Sequence, residues 1–169
     1  MTTTVDTVQT DTGLVTRTEI NDPRHRLAFI PQLFFTPQGE QMAINFMRKH
    51  CEGYDGGYWN YYEIPRGITG QIAGWTNVCT TRPTGYIAPP EGKYRLEIPG
   101  NYFTAEVSAD AAGLITSLFV LNQLSWMVSE MGDKYALTCQ GLVDRQDALK
   151  DYISIINHPE SHLIFRAID

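Results

Sequence analysis

The sequence predicts an α+β fold: a small antiparallel sheet packed with several helices, one of them long, central and apolar. Three observations lead there. Helix signals come first, strand signals follow and helix signals return, an order that fits an α+β domain rather than alternating βαβ units. Residues 111–129 carry no charge, which predicts a helix buried on most sides. Lys93–Ile98 and Tyr102–Val107 alternate polar with apolar residues around Pro99-Gly100-Asn101, a hairpin pattern. At 169 residues the chain suits one domain that buries a core without staples. That single domain is expected over 14–169, behind a mobile tail at 1–13 and with an insertion at about 65–84.

Each element has its own local reason. Residues 1–13 are rich in Thr and poor in apolar side chains, hence the expected tail; Leu14–Ile20 reads as a short extended segment. Asn21-Asp22-Pro23 is a helix start, a capping side chain followed by Pro in the first turn. The helix runs through Arg24, Arg26, Leu27 and Ile30 and is expected to end near Pro31. Thr36-Pro37 starts a second helix through Met42, Phe46 and Met47 to about Cys51. Glu40 lies in its first turn and Arg48, Lys49 and His50 in its last, the signs that the helix dipole favours. Behind Gly56-Gly57, five aromatic rings fall within Tyr54–Tyr62. As a strand, this block puts Tyr58, Asn60, Tyr62 and Ile64 on one face and Trp59, Tyr61 and Glu63 on the other. Rings on both faces predict cover on both sides, from the core of the protein or in part from a partner.

Pro65–Pro83 is a long excursion or a β-hairpin extension between strands, and Gly85–Ala88 is a strand stopped by Pro89-Pro90. Ser108-Ala109-Asp110 offers two N-caps for the central helix. Leu114, Leu118, Leu121 and Val128 make one inward stripe of that helix; Ile115, Phe119 and Trp126 make a second. Leu142–Ile156 is amphipathic, with Leu142, Leu149, Tyr152, Ile153 and Ile156 inward. Asn157-His158-Pro159 breaks it, and Glu160–Ile168 forms the last helix.

Composition narrows the functional classes. The net charge is −6, from 19 acidic against 13 basic residues, so a basic phosphate-binding surface is not expected. No two acidic residues are adjacent, which argues against a regular DNA-like array and leaves the charge as a solubility feature. Three widely spaced cysteines with no leader pattern point to reduced thiols in a cytoplasm. Paired short ligand spacings for zinc are missing, so no metal is expected. Thr116, Ser117, Asn122, Gln123 and Ser125 interrupt the uncharged run, which favours a core helix over a membrane span. The glycines of 67–74 lack a Gly-Lys-Ser/Thr ending and are not a P-loop. Glu106-Val107-Ser108-Ala109-Asp110 is not a hydrolase elbow. His25, His50, His158 and His162 sit in charged or helix-end contexts that predict exposure. Glu63 and Glu106, on separate strands, are the one carboxylate pair to weigh for acid/base work; no catalytic residue is assigned.

Four blocks carry a family resemblance: Arg24-His25-Arg26-Leu27-Ala28-Phe29-Ile30-Pro31; Tyr54-Asp55-Gly56-Gly57-Tyr58-Trp59-Asn60-Tyr61-Tyr62-Glu63; Gly85-Tyr86-Ile87-Ala88-Pro89; and Glu106-Val107-Ser108-Ala109-Asp110-Ala111-Ala112-Gly113. In this order, with Asn122-Gln123-Leu124 and the terminal Ala167-Ile168-Asp169, the chain resembles the ArdB/KlcA antirestriction family of plasmids and mobile elements. It departs from the family over Pro65–Thr84, where the family has a short Ser-Asn-Gly-Gly-like turn. The resemblance implies a cytoplasmic protein that protects incoming DNA from host type I restriction without catalysis or cofactor. The expected partner is the type I restriction-modification complex or an associated factor, with no direct nucleic acid and no membrane. Candidate contact residues are Arg26, Glu40, Tyr54, Gly57 and Trp59; Arg and aromatic side chains are also the usual interface anchors. Two other readings stand beside this one: an acidic DNA-mimic decoy for a DNA-binding enzyme, and a carboxylate-dependent enzyme using Glu63 or Glu106.

Overall fold

The computed structural model describes residues 3–10, 13–64, 69–72, 75–78 and 84–169. The elements run β1 (Thr3–Thr10), β2 (Gly13–Ile20), α1 (Pro23–Phe34), α2 (Gly39–His50), β3 (Asn60–Ile64), β4 (Thr69–Ile72), β5 (Trp75–Val78), β6 (Thr84–Ala88), β7 (Lys93–Ile98), β8 (Phe103–Ser108), α3 (Ala109–Ser129), α4 (Ala136–Ile155) and α5 (Ser161–Ile168). The main sheet is antiparallel in the order β1-β2-β3-β6, and β4-β5 and β7-β8 are separate two-stranded ladders. The predicted α+β class is the observed one.

Helix α3 is the axis of the core. Leu114, Ile115 and Leu121 are fully buried, and the helix packs on β6, α4, α5 and α2. It passes so close to β6 that a methyl group on Gly113 would lie 2.6 Å from the Ala88 Cα and the Ile87 carbonyl oxygen. Ser117 serves the same contact: its hydroxyl accepts from the Ile87 N–H at 3.0 Å and lies 3.2 Å from the Ile87 carbonyl. By length and composition α3 could cross a membrane, yet most of it is buried within the protein. Its C-terminal end is not. Trp126, assigned inward by periodicity, is 67% exposed: Asn122, Gln123 and Met127 around it are exposed as well, while Ser125 is buried and Val128 packs against the core.

Other departures are local. Helix α1 continues through Pro31 to Phe34, and Phe35 closes it in the left-handed region with its N–H on the Pro31 carbonyl. Burial of Leu33 and Phe34 outweighs the hydrogen bond that Pro31 cannot donate. Asp22 caps this helix as expected, accepting from the His25 N–H. Helix α2 begins at Gly39 rather than Pro37 and has no side-chain cap; the Phe34 ring lies where a Gly39 side chain would project. Helix α4 begins at Ala136, a turn and a half ahead of the expected Leu142. Within the stretch read as a tail, Thr3–Thr10 pairs along its length with β2, in keeping with the extended preference of β-branched Thr and Val. Within the expected insertion lies the β4–β5 ladder; Cys79 and the Trp75 side chain lie outside the described residues.

Candidate functional site

The Asn21-Asp22-Pro23 start and the Gly56-Gly57 run-in bring the first and second family blocks face to face. Helix α1 turns one stripe, Pro23, Arg26, Leu27, Ile30 and Pro31, toward a cleft of about 370 Å³ closed by Pro37, Glu40, Tyr58 and Tyr61. The Arg26 guanidinium lies against two rings, 4.2 Å from the centre of Tyr58 and 3.7 Å from that of Tyr61. Its Nη2 donates to the Trp59 carbonyl at 2.8 Å. A cation held against two tyrosine faces and a backbone carbonyl has few other places to go. The Tyr61 hydroxyl donates to Glu40. Burial pushes Tyr61 above its ordinary pKa, and the hydrogen bond and charge of Glu40 push it further, against a smaller opposing pull from Arg26. Tyr61 therefore links Arg26 and Glu40; among the described residues the hydrogen-bond partner of Glu40 is Tyr61, not Arg26.

Behind this layer the remaining candidates act as support. Trp59 is 2% exposed and its indole N–H donates to the Tyr54 hydroxyl at 2.8 Å. Gly57 has φ +129 and a Cβ there would sit 2.4 Å from Pro90 Cγ, so this position takes no side chain without displacing the Pro90 ring. All five sequence-assigned residues thus fall in one connected region, with Arg26 and Glu40 on the cleft and Tyr54, Gly57 and Trp59 beneath or beside it. Tyr58 and Leu27, which were not assigned, are large exposed side chains on the cleft, at 67% and 81%.

A second constellation was not legible in the sequence. Asp110, in the first turn of α3, gathers donors from three other parts of the chain. Arg17 Nη1 donates to its Oδ1 at 2.8 Å and also contacts the Tyr86 hydroxyl. Tyr86 donates to the same oxygen at 2.6 Å. His158 Nδ1 accepts from the Glu160 N–H at 3.0 Å, so Nε2 carries the proton and donates to Asp110 Oδ2 at 2.8 Å. Burial would raise the Asp110 carboxyl, but the bonds from His158 and Tyr86 and the charge of Arg17 outweigh it and hold it below its ordinary range. His158 is 6% exposed, which corrects the expectation that every histidine faces solvent: Asn157 takes φ +50 and turns the ring inward. Arg17, Tyr62, Ser108 and Asp110 border a second cleft of about 540 Å³. Ser108 is the α3 cap, as read, accepting from the Ala111 N–H at 3.1 Å; its hydroxyl donates to Glu160 at 2.5 Å. Ser108 and His158 do not meet in this network: the Ser108 hydroxyl donates to Glu160 and the His158 ring to Asp110.

The carboxylates weighed for acid/base work do not meet. Glu63 is on β3 opposite Gly85, and Glu106 is on β8 opposite Arg95, in a different ladder, and both are exposed. Among the described residues no three His, Cys, Asp or Glu side chains converge as a metal site would need.

Comparisons with known proteins converge on one description. A family model described as an antirestriction protein matches residues 71–169. The chain is similar to two Escherichia coli proteins named antirestriction protein KlcA. One is 34% identical over 152 residues, covering 85% of this chain and 87% of the relative. The other is 35% identical over 149 residues, covering 85% and 88%. It is also similar to a solved structure from work on KlcA and ArdB, with a TM-score of 0.64 and 33% identity over 90% of this chain and 95% of that one. Those two proteins are described as having a novel fold and antirestriction activity against type I DNA restriction systems in vivo but not in vitro.

Proposed function

Because the chain belongs to the antirestriction protein family, we propose that it relieves host type I restriction of incoming DNA by protein–protein contact, without catalysis, and does so in the cytoplasm. The observation that carries this reading is the cleft between α1 and the run-in to β3. There Arg26 is fixed against Tyr58 and Tyr61 while Tyr58 and Leu27 stay exposed. Arg and Tyr are residues that anchor interfaces, since both offer large contact area and a polar end. The partner is the type I restriction-modification complex or a host factor associated with it. Activity in vivo but not in vitro, as described for KlcA and ArdB, supports a target that purified enzyme and DNA do not supply.

Phage plating tests this. Unmodified phage is plated on a host with an active type I system, with and without the protein, and modification by that host is scored in parallel. Restored plating with modification intact is the expected result. Loss of both activities would instead fit an acidic decoy occupying the DNA site, whose grip would weaken steeply with salt. Unchanged restriction, with folded protein present in the cells, would refute the reading.

A further inference from the structure

The two edges of the main sheet are finished differently. At one edge α3 lies along β6. The Ser117 hydroxyl there accepts from the Ile87 N–H at 3.0 Å and donates to the Ile87 carbonyl at 3.2 Å. The Thr84 hydroxyl donates to the Arg145 carbonyl of α4 at 2.8 Å. The other edge is β1, which pairs with β2; among the described residues no second strand pairs with it. Because Ile87 turns its backbone groups away from β3, the registers fix which groups face which neighbour. Antiparallel partners alternate between hydrogen-bonded and non-hydrogen-bonded pairs. Tyr86 therefore bonds to Tyr62 of β3, Glu63 turns to Thr18 of β2, and Arg17 and Glu19 turn to Asp6 and Thr4 of β1. The backbone N–H and C=O groups of Thr3, Val5, Thr7 and Gln9 are left pointing away from the sheet.

Such an edge is a template for another strand, and natural sheets blunt it with Pro, charge, a bulge or a very short strand. Strand β1 is 8 residues long, β-branched at six positions and without Pro, and its pairing with β2 runs without a bulge. Its one charge is Asp6. What fits is an antiparallel strand with the same spacing of outward groups, and a second copy carries one. An isologous two-fold contact of this kind is also the commonest route to a homo-oligomer. The single charge selects the register. Centring the two-fold axis on Asp6 sets two carboxylates directly opposite, which is destabilising. Centring it on Val5 joins residues 3–7 alone. Centring it on Thr7 joins residues 4–10, sets Val5 opposite Gln9, and places Asp6 opposite Val8 of the second copy.

We propose that two copies pair β1 to β1, antiparallel and centred on Thr7, so that the four strands of each main sheet become halves of one continuous sheet. Sedimentation velocity of the full-length chain over a concentration series tests this, and a monomer–dimer equilibrium is the expected result. Thr7→Pro removes an outward N–H and none that bonds to β2. It should weaken the dimer by about tenfold or more while the circular dichroism of the monomer stays as in the wild type. Thr7→Cys should give a disulfide-linked dimer on mild oxidation that the wild type does not, because opposed hydrogen-bonded residues have Cα atoms about 5.5 Å apart, within disulfide reach. Asp6→Cys should not cross-link, since its counterpart lies diagonally at about 7–8 Å. A monomer at every concentration up to millimolar, a dimer as tight in Thr7→Pro as in the wild type, or cross-linking through Asp6→Cys as efficient as through Thr7→Cys would overturn the proposal.

Discussion

Replacing Asp110 with Asn should cost about 3 kcal/mol, because one carboxylate satisfies three donors and the amide cannot. Tyr86 is fully buried and His158 is 6% exposed, so water does not replace the lost acceptor for either. Each stranded donor carries a penalty of roughly 1–3 kcal/mol. Arg17 recovers part of its loss, since a third of the Asp110 side chain is exposed and solvent reaches that edge. The amide oxygen can keep Tyr86, but the amide NH₂ then faces the His158 Nε2–H. Switching the His158 tautomer gives no relief, because Nδ1–H would face the Glu160 N–H that it now accepts. For a chain of this size, about 3 kcal/mol lowers Tm by roughly 6–12 °C. The pH dependence supplies an independent check. The native carboxyl titrates below its ordinary value of 3.8, so its stabilisation is complete above that value. It is lost as pH falls through the lower native value. The wild-type Tm should therefore fall more steeply than that of Asp110→Asn on acidification below about pH 4. Thermal denaturation by circular dichroism at neutral and acid pH reads both quantities. A loss under about 1 kcal/mol, or parallel acid limbs, would refute the idea that this network holds β2, β6, α3 and the α4–α5 turn together.

Three further outcomes follow from single contacts. Tyr54→Phe leaves the buried Trp59 indole N–H without its acceptor and should cost about 1–3 kcal/mol in chemical denaturation. Gly113→Ala forces a methyl into the β6 backbone and should destabilise by about 1–3 kcal/mol, measured the same way. Glu63→Gln combined with Glu106→Gln should leave phage plating rescue unchanged; a loss of rescue in stable protein would revive the carboxylate-dependent enzyme.

What was legible in the sequence was what is local. The Asp22 cap, the Lys93–Val107 hairpin and the apolar α3 each declare themselves within a few residues, and the structure builds all three; of the aromatic block, read as a strand that carries Tyr58 and Trp59, only the part from Asn60 is strand. Arg26, Tyr54, Gly57 and Trp59 came from two family blocks that the packing of α1 on the run-in to β3 joins; Glu40 lies in neither block and was assigned at the start of α2. The Asp110 network is the opposite case. Arg17, Tyr86, Asp110 and His158 come from four separate elements, and no short window relates them. Asp110 reads locally as a cap, and His158 as an exposed residue at a helix break; a single positive-φ turn at Asn157 reverses the second reading. Trp126 fails for a different reason: in so apolar a helix periodicity does not say which side faces water, and Trp126 lies on the side of exposed Asn122 and Gln123 while Ser125 and Val128 face the core.

Strand β3 separates these two constellations and decides which variants can tell function from folding. Its alternation sends Tyr61 to the α1 side, 5.8 Å from the Phe29 ring, and Tyr62 to the other side, where Arg17 lies 4.1 Å over its ring. A change at Trp59 or Gly57 disturbs the core or the Pro90 contact, so lost restriction relief there would report folding as readily as contact. Tyr58 precedes the strand, is 67% exposed and supports nothing deeper than Arg26. Tyr58→Ala should therefore keep the stability within about 0.5 kcal/mol of wild type, the range for exposed substitutions, while plating rescue falls. Rescue that persists in Tyr58→Ala would mean that the cleft is not the contact surface, whatever Trp59 variants do.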